Sequence, residues 1–127
     1  MGWDHIFNGW GSEDYYVFGD QNHAPGAVYS TKTMWAHTEI LIGCMMIYEK
    51  TGEHWAEDWY WRTWEYLKDN FCRGIGAWEQ AVDRQGVPKI RTNENINPKR
   101  RGNYHQPRFL MLNILSLDRM IKQQKLY

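Results

Sequence analysis

The sequence predicts a mainly α-helical chain, with three substantial helices and one or two short β-hairpins. Three stretches carry that prediction. Trp35–Lys50 is apolar almost all round. Residues 53–72 carry an aromatic and aliphatic stripe at helical spacing. Residues 106–124 carry a second such stripe just after a proline. A single domain over residues 1–127 is expected, because a chain of this length suits one compact core and not two.

The elements follow in order. Met1–Thr33 is punctuated by Gly9, Gly11, Gly19 and Gly26 and lacks helical periodicity, so irregular structure with a short hairpin is expected, Tyr15–Phe18 being strand-like. In the first predicted helix, Ile40, Leu41, Ile42, Cys44, Met45, Met46 and Ile47 leave no polar face, which predicts burial on most sides. Gly52 suits its C-cap. The brief Thr51-Gly52 link makes the next helix antiparallel to it. That second helix has Tyr60, Trp64, Leu67 and Phe71 at i, i+4, i+7 and i+11. Trp78–Val82 and Val87–Ile90 flank Asp83-Arg84-Gln85-Gly86, a good turn sequence, and are expected to form a hairpin. Arg91–Arg101, rich in Asn, reads as a loop. The third helix carries Leu110, Ile114, Leu117 and Ile121 on one stripe, and Pro107 suits its first turn.

Composition narrows the function. Fifteen basic and fifteen acidic residues cancel, which argues against a nucleic-acid or anionic-membrane partner. The longest apolar run, Ile40–Tyr48, is too short to span a bilayer. Met1–Asp20 does not resemble a signal peptide. Cys44 and Cys72 do not make a disulfide framework, and free thiols point to a reducing, cytoplasmic setting. The five histidines and two cysteines lack metal-ligand spacing, so no metal site is expected. The 8 Trp and 8 Tyr leave two uses open: core bulk, or platforms for the apolar faces of sugar rings.

A few residues could carry chemistry. His105 lies just before the third predicted helix, whose N-terminal dipole disfavours an imidazolium. A neutral ring there could accept a proton, with free helix N–H groups nearby for an oxyanion. A histidine simply packed at a helix entry fits the same spacing. Glu39 lies within the apolar first helix, where a lone carboxylate is costly to bury. It must therefore face a polar cavity, bind a cation or be protonated. His37 is on another face of that helix, and Arg108, three past His105, could pair with a carboxylate.

Three stretches resemble the N-acylglucosamine 2-epimerase family, which includes cellobiose 2-epimerases and aldose–ketose isomerases. They are Lys32-Thr-Met-Trp35-Ala-His-Thr-Glu39-Ile-Leu; Gly76-Ala-Trp78 followed by Asp83-Arg-Gln-Gly86-Val-Pro88; and Arg101-Gly-Asn-Tyr-His105-Gln-Pro107-Arg108. Gly2-Trp3-Asp4-His5 and Tyr48-Glu-Lys-Thr-Gly52 are similar to further family segments in the same order.

The resemblance implies part of an (α/α)6 barrel, its C-terminal portion. It implies proton transfer at C2 of an aldose through an enediolate, shared between two histidines, with no metal or organic cofactor. His105 matches the later catalytic histidine and Glu39 the active-site glutamate. Trp35 and Trp78 match positions lining the sugar site, and His37 and Arg108 complete the candidate substrate contacts. The chain departs from the family in lacking the His-Glu-Trp-type motif of the earlier histidine, with Ala77 where an acidic residue is common and Asn103 where Pro is common. A quarter of a barrel would leave apolar helix faces uncovered, so a homo-oligomer or a companion chain is expected. A non-catalytic sugar-binding or assembly module derived from the barrel is the alternative.

Overall fold

A computed structural model of the chain describes residues 2–11, 32–73, 78–88 and 104–123. In chain order these comprise strand β1 (Lys32–Thr33), helix α1 (Met34–Thr51), helix α2 (His54–Asn70), strand β2 (Ala81–Val82) and helix α3 (His105–Lys122). The mainly helical class is as the sequence predicts. Tyr15–Phe18 and the 91–101 loop lie outside the described residues.

Helix α1 stops at Gly52, whose φ of 69° is a left-handed conformation that glycine adopts without strain; its N–H closes onto the Tyr48 carbonyl at 2.9 Å. The chain then reverses into α2, which packs antiparallel to α1. Leu67 and Phe71 of the α2 stripe are fully buried, and Tyr60 and Trp64 lie partly buried against the same core. That core joins Met34, Leu41 and Ile42 of α1 to Tyr66, Leu67 and Phe71, and reaches Val82 and Phe109.

Helix α3 runs parallel to α1. Near their N-termini Glu39 meets His105 and Arg108; near their C-termini Glu49 meets Ser116 and Arg119. The Glu49 carboxylate accepts from Ser116 Oγ at 2.6 Å and from Arg119 Nε at 2.6 Å and Nη2 at 2.8 Å. These bonds, from Arg119 first, hold its carboxyl at about 2. Two parallel helices with an antiparallel one packed on them is the arrangement of a segment of a helical barrel.

The sequence reading needs two corrections here. Of the expected hairpin the described residues, which end at 88, show the turn and one antiparallel bridge, Val82 to Pro88, while β2 takes its ladder partner from β1. Asp83 organises the turn: its Oδ1 accepts the amides of Gln85 and Val87, each at 2.9 Å. The second correction concerns α3. The side it packs inward carries Phe109, Asn113, Ser116 and Met120, whereas Leu110, Ile114, Leu117 and Ile121 are 39%, 63%, 40% and 61% exposed.

The N-terminal segment folds back between Trp3 and Trp10, around Asn8 and Gly9, both at positive φ. Gly9 has a φ of 82°, and a Cβ built there would lie 2.4 Å from Cζ of Tyr66. Gly9→Ala therefore combines backbone strain with overpacking. We expect it to cost more than about 2 kcal/mol in a denaturant unfolding curve; a curve coincident with the wild type would refute that.

Candidate active site

Helical periodicity sets Trp35 and Glu39 one turn apart on α1, and His105 and Arg108 one turn apart on α3. Because the two helices run parallel, these pairs meet at one end. His105 is the first residue of α3, one position inside the helix rather than just ahead of it.

Glu39 is the hub. His105 Nδ1 lies 3.0 Å from its Oε1, and Arg108 Nη1 donates to both carboxylate oxygens. A carboxylate only accepts, so Nδ1 carries a proton, and in the neutral ring that leaves the lone pair on Nε2. Among the described residues nothing hydrogen-bonds Nε2. Partial burial pushes the Glu39 carboxyl up, but the bonds from Arg108 and His105 outweigh it and hold it below the usual carboxylate range. In turn Glu39 raises the Arg108 guanidinium.

Two aromatic rings flank the imidazole. Trp35 lies 5.7 Å from it at 40°, and Tyr104 lies 4.9 Å from it edge-on at 90°. The Arg108 guanidinium sits 5.9 Å from the Tyr104 ring. Trp35 and Tyr104 are both exposed, and His105 is half-buried, so the imidazole edge is reachable from solvent. The arrangement is a tautomer-fixed imidazole with an acceptor nitrogen, an adjacent guanidinium and two aromatic faces, parts suited to moving a proton on a polyhydroxy ligand.

Four of the six sequence candidates thus come together: Trp35, Glu39, His105 and Arg108. Trp78 packs partly buried against Phe109 of α3, with ring centres 6.3 Å apart. His37 is held apart. It is fully buried and stacked on Tyr66; its Nδ1 donates to the Thr33 carbonyl at 2.7 Å and its Nε2 accepts the Trp10 amide at 2.9 Å. Burial pushes it to about 4, so the ring is neutral, with both nitrogens occupied inside the protein. Sequence reasoning missed Tyr104 as a site residue; an aromatic immediately before a candidate histidine was the available signal.

The described residues also hold a charged cluster that sequence reasoning missed. Asp4 and Lys32 are fully buried and 3.1 Å apart. Arg84 holds the same carboxylate through Nε at 2.9 Å and Nη2 at 3.2 Å, and Lys32 also donates to the carbonyls of Asn8 and, at 2.7 Å, Arg84. This clasp ties the N-terminal segment and the 83–86 turn to Lys32, two residues before α1. Among the described residues no group of three His, Cys, Asp or Glu side chains could hold a metal, and no helix is long and apolar enough to cross a membrane.

The N-acylglucosamine 2-epimerase (GlcNAc 2-epimerase) family pattern matches residues 4–106. A D-mannose isomerase from Pseudomonas cannabina pv. alisalensis is 28% identical over 109 residues, which covers 77% of this chain and 25% of that protein. The chain therefore spans about a quarter of the length of this relative.

Proposed function

The chain belongs to the N-acylglucosamine 2-epimerase family, and we propose that its α1–α3 end forms one side of a sugar site in which His105 moves a proton at C2 of an open-chain aldose. The observation that carries this reading is the Glu39–His105 pair, with Nδ1 spent on the carboxylate and Nε2 left as acceptor. Nε2 takes the C2 proton. The C2–H electron pair becomes the C1=C2 double bond, and the C1 carbonyl electrons move onto O1, giving an enediolate. Arg108 has N–H groups beyond those on Glu39 and can stabilise the developing charge on O1 or O2. Trp35 and Tyr104 offer faces for the sugar's C–H groups.

The enediolate has two exits. Return of a proton to C2 on the opposite face inverts that carbon and needs a second acid. Return from His105 to C1 on the same face, with the O2 proton passing to O1, gives the ketose and needs one imidazole. The second exit is favoured by the one histidine found in the cluster among the described residues and by the similarity to a D-mannose isomerase. As in the family, the complete site belongs to an (α/α)6 barrel.

Incubating the chain with millimolar mannose, glucose or N-acetylglucosamine in deuterated water tests this. Ketose carrying solvent deuterium at C1 is expected with a one-histidine site, and deuterium at C2 of an epimer if a second acid participates. Label at neither carbon above a His105→Ala control, with the chain alone or supplemented with the part of a family barrel that it does not span, would overturn the proposal.

A further inference from the structure

We propose that the Tyr104 hydroxyl carries the proton between O2 and O1 of the enediolate, a catalytic role that rests on the reading of His105 as the base. The route to the ketose sets the need. Once His105 has taken the C2 proton, O1 is an oxyanion and O2 a hydroxyl. Before the product can form, O1 must gain a proton and O2 must lose one. A group that both gives and takes a proton does this in one pass. The phenol gives its proton to O1, and its oxygen takes the proton of O2. The O2–H electron pair becomes the second bond of the C2 carbonyl. The C1=C2 pair takes the proton from the imidazolium and becomes the new C1–H bond. Tyr104 and His105 both end as they began.

Among the described residues of the cluster no other group is fit for this. Arg108 does not release a proton in a protein, and the Trp35 indole only donates. Both oxygens of Glu39 accept from Arg108 and one lies against His105 Nδ1, and the carboxyl is held below its usual range, so it has no proton to give. His105 has Nδ1 on Glu39 and Nε2 engaged with carbon. A phenol is both donor and acceptor. Tyr104 immediately precedes His105, with its ring edge-on to the imidazole at 4.9 Å and 5.9 Å from the Arg108 guanidinium. Its carbonyl accepts the Arg108 amide at 3.1 Å, which ties position 104 to the first turn of α3. Phenol, imidazole and guanidinium are thereby held as one unit. No described residue hydrogen-bonds the Tyr104 hydroxyl. A negative charge on it would stabilise the Arg108 guanidinium. In return, the cation that steadies the enediolate also steadies a phenolate formed in passing.

Mannose in deuterated water, with the chain alone or supplemented with the part of a family barrel that it does not span, tests the proposal. The readout is the ratio of ketose formed to aldose recovered with deuterium at C2. That ratio reports how the enediolate divides between going forward and returning, whatever the rate at which it forms. Return to C2 needs no exchange between O1 and O2, whereas the ketose does. Tyr104→Phe keeps the aromatic face and removes the carrier. The ratio should fall by at least about 10-fold, a modest share of what a positioned acid–base group contributes, whereas His105→Ala should lower both products together. If ketose and labelled aldose fall by one common factor in Tyr104→Phe, the ring only packs on His105 and the proposal is overturned. If neither falls, solvent carries the proton, which overturns it equally. A wild type that labels C2 without forming ketose also overturns it, and leaves His105 as the base. Label at neither carbon removes both readings.

Discussion

Asp4→Ala should lower the unfolding free energy by about 3–5 kcal/mol, the cost of removing one partner from a buried ion pair. The variant leaves the Lys32 ammonium fully buried, with carbonyl dipoles where a carboxylate stood. A domain of this size has about 5–15 kcal/mol in total, so much of its stability goes, and the melting temperature should fall by more than about 10 °C. Lys32→Met should cost less, because Asp4 keeps Arg84 and the amides of Ile6 and Phe7. Combining Asp4→Leu with Lys32→Met should recover part of the loss, since Arg84 is partly exposed and can turn to water. Unfolding of Asp4→Ala within 1 kcal/mol of the wild type would show that the clasp contributes little.

The same carboxylate makes the fold acid-sensitive. Burial pushes the Asp4 carboxyl up, but hydrogen bonds from Arg84, the Ile6 and Phe7 amides and Lys32 outweigh it and bring it to about 2, against an ordinary 3.8. A group depressed in the folded state contributes stability above its unfolded value and loses it as pH falls through the folded one. The loss should therefore run from about pH 4 down to pH 2 and amount to about 2 kcal/mol. Glu49, also held at about 2, adds a loss in the same window from the other end of α1. Urea unfolding at pH 6 and pH 2.5 measures the sum, and equal stability at the two would contradict it.

The helices were legible because each repeats one local rule for four or five turns, and neighbours along a helix report on each other. The β1–β2 ladder was not, because Lys32 and Val82 are brought together by the helices between them. The Asp4 clasp joins residues 28 and 80 positions apart, and an isolated lysine before a helix reads as a solvated end. One local clue was available: Asn8-Gly9 is a turn pair that predicts the fold-back from Trp3 to Trp10. On α3 the most apolar stripe and the packed side differ. The packed side carries Ser116, which meets the Glu49 carboxylate, and Asn113, whose side-chain amide donates to the Phe109 carbonyl, so polarity there records partners that the apolar stripe cannot reveal. For Glu39 the sequence stated the need, a partner for a carboxylate in an apolar helix. The parallel packing of α3 supplied it as Arg108 and His105.

His105→Ala should reduce solvent-deuterium incorporation by about 10²–10⁴-fold, the usual contribution of a positioned acid–base group. Glu39→Gln separates two roles of the carboxylate. The amide oxygen can still accept the Nδ1 proton and keep Nε2 as the base, but it cannot balance the positive charge on the imidazole after proton transfer, and it leaves Arg108 without its anion. A loss intermediate between wild type and His105→Ala is expected. Glu39→Ala should fall further, because the ring then loses its orientation as well. Arg108→Met should leave the tautomer intact and slow the reaction through the uncompensated enediolate. Added imidazole should restore exchange to His105→Ala, where a cavity replaces the ring, and not to Arg108→Met, where the ring remains. If His105→Ala exchanged as fast as the wild type, or Glu39→Gln fell as far as His105→Ala with no rescue of either, the base would have to lie elsewhere. The Glu39–His105–Arg108 cluster would then be a clasp between two parallel helices, like Glu49 with Ser116 and Arg119 at their other end.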